Sequence, residues 1–265
     1  MLPRVNLVRT DYTDYLLFST RDAISLSVYL NGMWAQPLLQ IAQTFCAQVE
    51  APFVVDIGAN LGAFTVPVAQ AIAAQGGTVY AYEPQRIIYY QLCGNVFLNR
   101  VDNVHAFNAA LGEDDGFVTI PNINYEKIAN VGAFTLDPGN PNAADFSVPS
   151  ALSGGHTPQV PIFRLDSVAL PMAPSLIKID VELLELQVLK GAAGTLERHH
   201  FPPLMIEIFQ NVHLPQRDAV ESWLQHLGYR LFKLGDEVVS RHPRHGVQVD
   251  FKLRLDGVLE FGRVR

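Results

Sequence analysis

The chain is poor in cysteine and lacks both a long apolar run and a basic stretch, and each absence excludes a class of protein. Its two cysteines, Cys46 and Cys93, lie far apart in segments that read as helices. They support neither a disulfide framework nor a zinc site, so buried free thiols and a reducing, cytoplasmic setting are expected. No apolar run reaches membrane-spanning length. The stretch from Met1 to Tyr15 carries charges throughout and lacks the apolar core of a signal peptide. Lysines and arginines form no cluster and the formal net charge is −7, so the chain repels a phosphate backbone and no nucleic-acid partner is expected. What is present is an ordinary globular balance, 49% hydrophobic and 17% charged over 265 residues. That length suits one domain of about 200 residues with an extension.

Five short apolar runs alternate with helical patterns, the rhythm of a parallel sheet covered on both faces. They are Phe53–Ile57, Thr78–Glu83, Val104–Asn108, Leu176–Asp180 and Leu204–Phe209. Continuous apolar strands such as Leu176-Ile177-Lys178-Ile179 are what burial on both faces demands. Helices are expected from about Gly62 to Gln75, over Gln85–Asn99, and after Asp180, where Leu184, Val188, Leu189, Ala192 and Leu196 fall on one face. Pro67 conflicts with the first of these, which must start late or kink.

Residues 1–50 read as an extension, with a strand pair around Tyr15–Phe18 and Ile24–Leu30 and a helix over Gln36–Gln48. Residues 51–265 read as the main domain. Its insertion, 113–162, is rich in Pro, Gly and Asn and too long for a simple connection, so a lid or binding loop is expected. The end reads as a helix over Gln216–Leu227, a strand over Tyr229–Leu234, a loop, and a strand over Val247–Leu255. A mostly parallel sheet with an antiparallel C-terminal strand follows.

The chemistry is concentrated at the strand tips. Asp56-Ile57-Gly58-Ala59-Asn60-Leu61-Gly62-Ala63-Phe64 ends an apolar strand in an acid and opens a helix through glycines. Gly58 and Gly62 permit positive φ and close approach of backbone to a ligand. The run matches a dinucleotide fingerprint poorly, because that motif wants glycine where Asn60 stands. Asp56 would repel a pyrophosphate, whereas a cationic sulfonium with an amino-acid tail would meet no such repulsion. The next strand ends in Glu83-Pro84, 27 positions after Asp56. A carboxylate there can accept both hydroxyls of a ribose. Asn108 at the third tip can bond an adenine edge, with the small Ala109 admitting the ring.

At the fourth tip stand Asp180 and Glu182, where ligands of open α/β sheets bind. They are candidates to orient a sulfonium or accept a substrate proton, with a cap on the next helix as the alternative reading. Glu207 is an acid in an otherwise apolar strand, so it must be paired or close to the tip. No metal is expected. His242-Pro243-Arg244-His245 reads as a solvated loop, and Asp180 with the amides of Gln210 or Asn211 would hold magnesium weakly.

Taken together, Asp56–Phe64, Glu83-Pro84, Lys178–Ala192 and Ile206-Glu207 resemble the FkbM family of S-adenosylmethionine-dependent methyltransferases. Asn95, Asn130-Val131-Gly132 and Leu165-Asp166 also match that family's habit, and the likeness covers roughly residues 50–235. The resemblance implies a Rossmann-like class I methyltransferase fold with S-adenosylmethionine as cofactor. It implies a cofactor site of Asp56, Gly58, Ala59, Asn60, Gly62, Phe64, Glu83, Pro84, Asn108, Ala109 and Asp180, with Asp180 and Glu182 catalytic. Family members often act on hydroxyls of sugars or polyketides, so a small-molecule or glycan acceptor is expected. Two positions depart from the family. Leu183 stands where it usually has glycine, and Trp34-Ala35 where it tends to have an aromatic-acid pair. N-methylation of an amine or amide and an inert cofactor-binding module are the rival expectations. An NAD-dependent oxidoreductase is disfavoured by Asn60 and by the lack of a catalytic Tyr-Lys or zinc signature.

Overall fold

The computed structural model describes residues 4–18, 22–120, 123, 158–208, 214–253 and 259–263. Strand β1 (Val5–Val8) pairs antiparallel with β2 (Tyr15–Phe18). The turn between them is drawn in by Thr10, whose hydroxyl accepts from the Tyr12 and Thr13 N–H groups and donates to the Thr13 carbonyl. The expected partner strand Ile24–Leu30 is instead a helix, α1 (Ala23–Asn31). Its alternating apolar residues imitate a strand, but local capping decides the outcome. The Asp22 carboxylate accepts from Ser25 N–H at 2.8 Å, and Gly32 closes the other end at φ 76°. Helix α2 (Gln36–Cys46) follows, with Pro37 in its first turn, where no intrahelical N–H is needed.

The sheet begins with β3 (Phe53–Ile57), followed by helix α3 (Thr65–Ala73). The helix starts late, which places Pro67 in its first turn and removes the conflict. Then come β4 (Thr78–Tyr82), α4 (Arg86–Leu98) and β5 (Val104–Phe107). Of the insertion, the described ends form a small sheet. In it β8 (Gln159–Phe163) lies between β6 (Ala110–Leu111) and β7 (Gly116–Thr119). Most of the expected lid, including Asn130-Val131-Gly132, lies outside the described residues.

The chain returns through β9 (Leu176–Ile179). The single helix expected next is two, α5 (Glu185–Gly191) and α6 (Ala193–Arg198), broken at Ala192. Its apolar stripe survives the break, since Val188, Leu189, Ala192 and Leu196 all remain buried in one cluster. After β10 (Leu204–Glu207) come α7 (Leu214–His226), β11 (Arg230–Leu234) and β12 (Glu237–Arg241). The antiparallel strand of the sheet is β12, inserted between β10 and β11. It had read as loop because Val238 and Val239 are its only apolar residues. The run read as Val247–Leu255 is β13 (Val249–Leu253), which leaves the sheet to pair with β14 (Leu259–Arg263). His242 is also buried rather than solvated, stacked near Phe201 and Tyr229.

The central sheet runs β11-β12-β10-β9-β3-β4-β5, parallel except for β12. This is the strand order of Rossmann-like class I methyltransferases. One face buries Val55, Ile57, Ile177, Ile179 and Ile206, and the other Val54, Leu176, Met205 and Val239. Strand order reverses direction between β3 and β9, which opens a crevice at their carboxyl ends. Among the described residues, no helix is long and apolar enough to cross a membrane.

Candidate active site

Each strand tip at the crevice is fixed by backbone. Gly58 has φ 81° and its N–H donates to the Tyr82 carbonyl at 3.0 Å. A Cβ at Gly58 would fall 1.7 Å from the Asp180 carbonyl oxygen, so glycine is required by the approach of β9's end to β3's end. Asn60 takes the next left-handed position at φ 50°, which asparagine tolerates, and its side chain accepts from Leu61 N–H at 2.7 Å. The turn is anchored from behind by Asn95, fully buried on α4. Its amide donates to the Leu61 carbonyl at 2.8 Å and accepts from Leu16 N–H at 2.6 Å. One side chain thus ties the glycine turn to β2.

A cavity of about 320 Å³ opens at these tips, within the usual size range of small-molecule sites. Of the residues named from sequence, Gly58, Asn60, Glu83, Pro84, Ala109, Asp180 and Glu182 line it. Gln85, Trp34, Leu184 and Glu207 join them. Glu207 had been singled out as an acid that must be paired or close to the tip and as part of the Ile206-Glu207 motif, but not as a site residue, and Gln85 carried no signal in the sequence.

The other named residues stand behind the cavity wall. Ala59 packs with Ala81 and Leu92, and Gly62 lies against Leu92 and Val66. Asn108 spends its amide N–H groups on the carbonyls of Glu83 and Pro84, at 2.9 and 3.0 Å. Asp56 is fully buried on the opposite face of β3, accepting from the Thr65 hydroxyl at 2.5 Å. Its other oxygen lies 3.8 Å from the Lys178 ammonium, the residue level with it on β9. That ammonium also sits 5.6 Å over the Phe64 ring and 2.9 Å from Asp180. Asp56 and Phe64 therefore reach the site through Lys178.

Two acidic ends result. At one, both oxygens of Glu83 accept backbone hydrogen bonds, from Asn60 N–H at 3.0 Å and Gln85 N–H at 2.8 Å. Burial outweighs these donors and pushes its carboxyl up to about 7. At the other, Asp180, Glu182 and Glu207 each bring a carboxylate oxygen within 4.8 Å of the others. Burial would raise Asp180, but the Lys178 charge and a hydrogen bond with Glu207 hold it below its ordinary value. Burial and the Asp180 charge push Glu207 up to about 10, so Glu207 is the proton donor in that bond. Burial, then the charges of Asp180 and Glu185, push Glu182 up to about 8. Asp180 thus has two carboxylates and the Lys178 ammonium beside it, and Gln210 and Asn211 lie outside the described residues.

The family model described as Methyltransferase FkbM domain matches residues 56–231. The chain belongs to this family, and its cofactor is S-adenosylmethionine. Similar solved structures include the methyltransferase FkbM of Methylobacillus flagellatus KT, at 20% identity and TM-score 0.45. That match covers 72% of this chain and 43% of the other, so this chain spans less than half of that protein. A SAM-dependent methyltransferase from Aquifex aeolicus is 14% identical, with TM-score 0.42, covering 80% of this chain and 90% of that one. A putative caffeoyl-CoA O-methyltransferase from Staphylococcus aureus is 10% identical, with TM-score 0.46, covering 83% and 91%. No curated protein matches the sequence. The donor set fits the cofactor, since an acid-lined cavity with hydroxyl-accepting oxygens suits a cationic nucleoside and opposes a pyrophosphate.

Proposed function

We propose that this methyltransferase methylates a hydroxyl on a sugar, glycan or polyketide-type small molecule, with Glu182 and Asp180 serving the reacting end of the cavity. The convergence of Asp180, Glu182 and Glu207 on one point of the cavity carries this reading. Glu83 accepts the ribose hydroxyls, using lone pairs that its two backbone donors leave open. The turn from Gly58 to Asn60 borders the amino-acid tail, and Pro84 and Ala109 flank the adenosine. Bound there, S-adenosylmethionine supplies an electrophilic methyl group and its own leaving group.

The chain then has three tasks, which are to align the acceptor oxygen, exclude water and remove one proton. Glu182 is the acceptor of that proton. Its value of about 8 lies near neutrality, where a general base works best. Asp180, kept anionic by Lys178 and by the Glu207 hydrogen bond, supplies a fixed negative charge beside the sulfonium. Trp34 offers a flat apolar wall to the acceptor. The net charge of −7 supports a small-molecule acceptor over a nucleic acid. The unpaired Cys46 and Cys93 suit a reducing cytoplasm.

The test is transfer of labelled methyl groups from S-adenosylmethionine to a panel of glycosides, hydroxylated polyketides, amines and an RNA transcript. Transfer to hydroxyl acceptors, lowered about 100- to 10,000-fold in kcat by Glu182→Gln at saturating cofactor, supports the reading. Transfer confined to amines or RNA overturns it.

A further inference from the structure

The loop between β9 and α5 holds two successive residues in the left-handed region, Glu182 at φ 52° and Leu183 at φ 77°. Neither is glycine, and a branched apolar side chain is an unfavourable occupant of that region. Such a turn persists only where its surroundings over-determine it. Here both peptide groups of Leu183 are taken. Its N–H donates to Glu185 Oε1 at 3.0 Å. Its carbonyl accepts from the amide nitrogen of Gln216, which also donates to Glu185 Oε2 at 3.2 Å. Gln216 comes from α7, which packs on α5, so the ring of bonds joins segments 31 to 33 residues apart. Glu185 is buried, is not among the residues that line the cavity, and enters the chemistry above only through its charge on Glu182.

We propose that Glu185 and Gln216 are positioning residues which clamp the Leu183 peptide groups and thereby keep the Glu182 carboxyl at the methyl end of the cavity. Together they supply what glycine at Leu183 would supply through its own backbone freedom. The inference rests on the assignment of Glu182 to that end. A simpler structural part for Glu185, as an acid in the first turn of α5, would stabilise the helix without governing Glu182.

The two parts separate by binding, with no acceptor needed. S-adenosylhomocysteine lacks a cationic group at the methyl position, whereas sinefungin carries an ammonium there, so the ratio of their affinities reports the acid charge at that point. It is measured by calorimetry on the full chain, above the Glu182 value of about 8. Glu182→Gln should lower the preference for sinefungin roughly tenfold, the scale of one charge-assisted hydrogen bond. Glu185→Ala should lower it by a similar factor, with S-adenosylhomocysteine affinity kept within about twofold. Adding Leu183→Gly to Glu185→Ala should restore most of the preference, because glycine adopts the turn unaided. A helix-capping role predicts a lower melting temperature and an unchanged ratio, and loss of the Glu185 charge alone predicts a lower ratio; neither predicts rescue by Leu183→Gly, so a lower ratio without rescue also overturns the clamp. Loss of the ratio in Glu182→Gln but not in Glu185→Ala overturns the clamp. An unchanged ratio in Glu182→Gln overturns the assignment of Glu182 instead. The clamp then stands or falls on hydrogen exchange of the Leu183 amide, which should quicken at least about tenfold in Glu185→Ala. Should Glu185→Ala fail to fold, Gln216→Ala keeps the Glu185–Leu183 bond and should show a smaller drop in the same direction. No drop there overturns the proposal.

Discussion

The two ends of the cavity are both built on acids, buried at one and half-buried at the other, and the fold stabilises them by opposite means. At the ribose end, Glu83 is held by two peptide N–H groups from the turns that flank it. At the methyl end, Asp180, Glu207 and Asp56 are gathered around Lys178, with Glu182 beside them. Peptide dipoles fix where a carboxylate lies and respond little to what binds. A cluster that shares one cation and one proton shifts its charge whenever a cationic ligand arrives. Shape is therefore set at one end and charge at the other.

The largest effect expected from this difference is in the pH dependence of turnover. In the proposed role Glu182 acts as a carboxylate, and its value lies above the ordinary 4.5, at about 8. Turnover must then rise with pH, about tenfold per unit below that value, and level off above it. A bound cation nearby moves the midpoint downward, so the ternary complex should turn over with a midpoint at or somewhat below about 8. Glu182→Gln should flatten the limb while Glu83→Gln leaves it in place. A limb that survives Glu182→Gln would place the base elsewhere.

Next in size is the removal of the shared cation. Lys178 is almost wholly buried between Asp56 and Asp180. Lys178→Met leaves those acids without their cation, a change that typically costs about 3–5 kcal/mol. The measurement is the urea midpoint at constant m-value. Combining Lys178→Met with Asp180→Asn should recover part of the loss, since the second change removes one of the stranded charges. Additive losses would show that Lys178 does not serve Asp180.

The same contrast explains what was legible in the sequence. Strands buried on both faces announce themselves through continuous apolar runs, so the five parallel strands and their tips were readable. Tip residues that line the cavity, Gly58, Glu83, Asp180 and Glu182, were readable with them. Which face a tip residue points to was not. Asp56 and Ile57 are neighbours in sequence, yet only Ile57 reaches the cavity, because alternate side chains of a strand point to opposite faces. Local signals also competed. Ile24–Leu30 alternates like a strand, and the cap at Asp22 with Gly32 made it a helix. Strand β12 was hidden because its two valines are flanked by polar and charged residues. The clamp on Leu183 could not be read at all, since Gln216 meets it only through the packing of α7 on α5.

At the ribose end the expected effects are smaller. Glu83→Ala should weaken binding of S-adenosylhomocysteine by about 1.5–3 kcal/mol, the usual worth of a hydrogen bond to a charged group. Calorimetry measures it directly, and NAD should bind negligibly to either form. A change within error would separate Glu83 from the ribose.

The smallest effect tests whether this end is fixed by shape. Asn108 stands where its amide was expected to read the adenine edge, yet its N–H groups go to the carbonyls of Glu83 and Pro84. Holding that loop is an indirect service to the cofactor. Asn108→Ala should therefore weaken S-adenosylhomocysteine by about 1 kcal/mol, less than Glu83→Ala does. The two roles part when the base is changed. S-inosylhomocysteine replaces the amino group of adenine by an oxo group, so a side chain that reads the base edge would lose its bond in the wild type already. Asn108→Ala would then cost little with that ligand. A loop-holding Asn108 is indifferent to the base, and the substitution should weaken both ligands equally, giving a coupling energy near zero in the double cycle. A coupling well above the usual non-additivity of about 0.5 kcal/mol would return Asn108 to the adenine and show that the ribose end, too, is tuned by contact with its ligand.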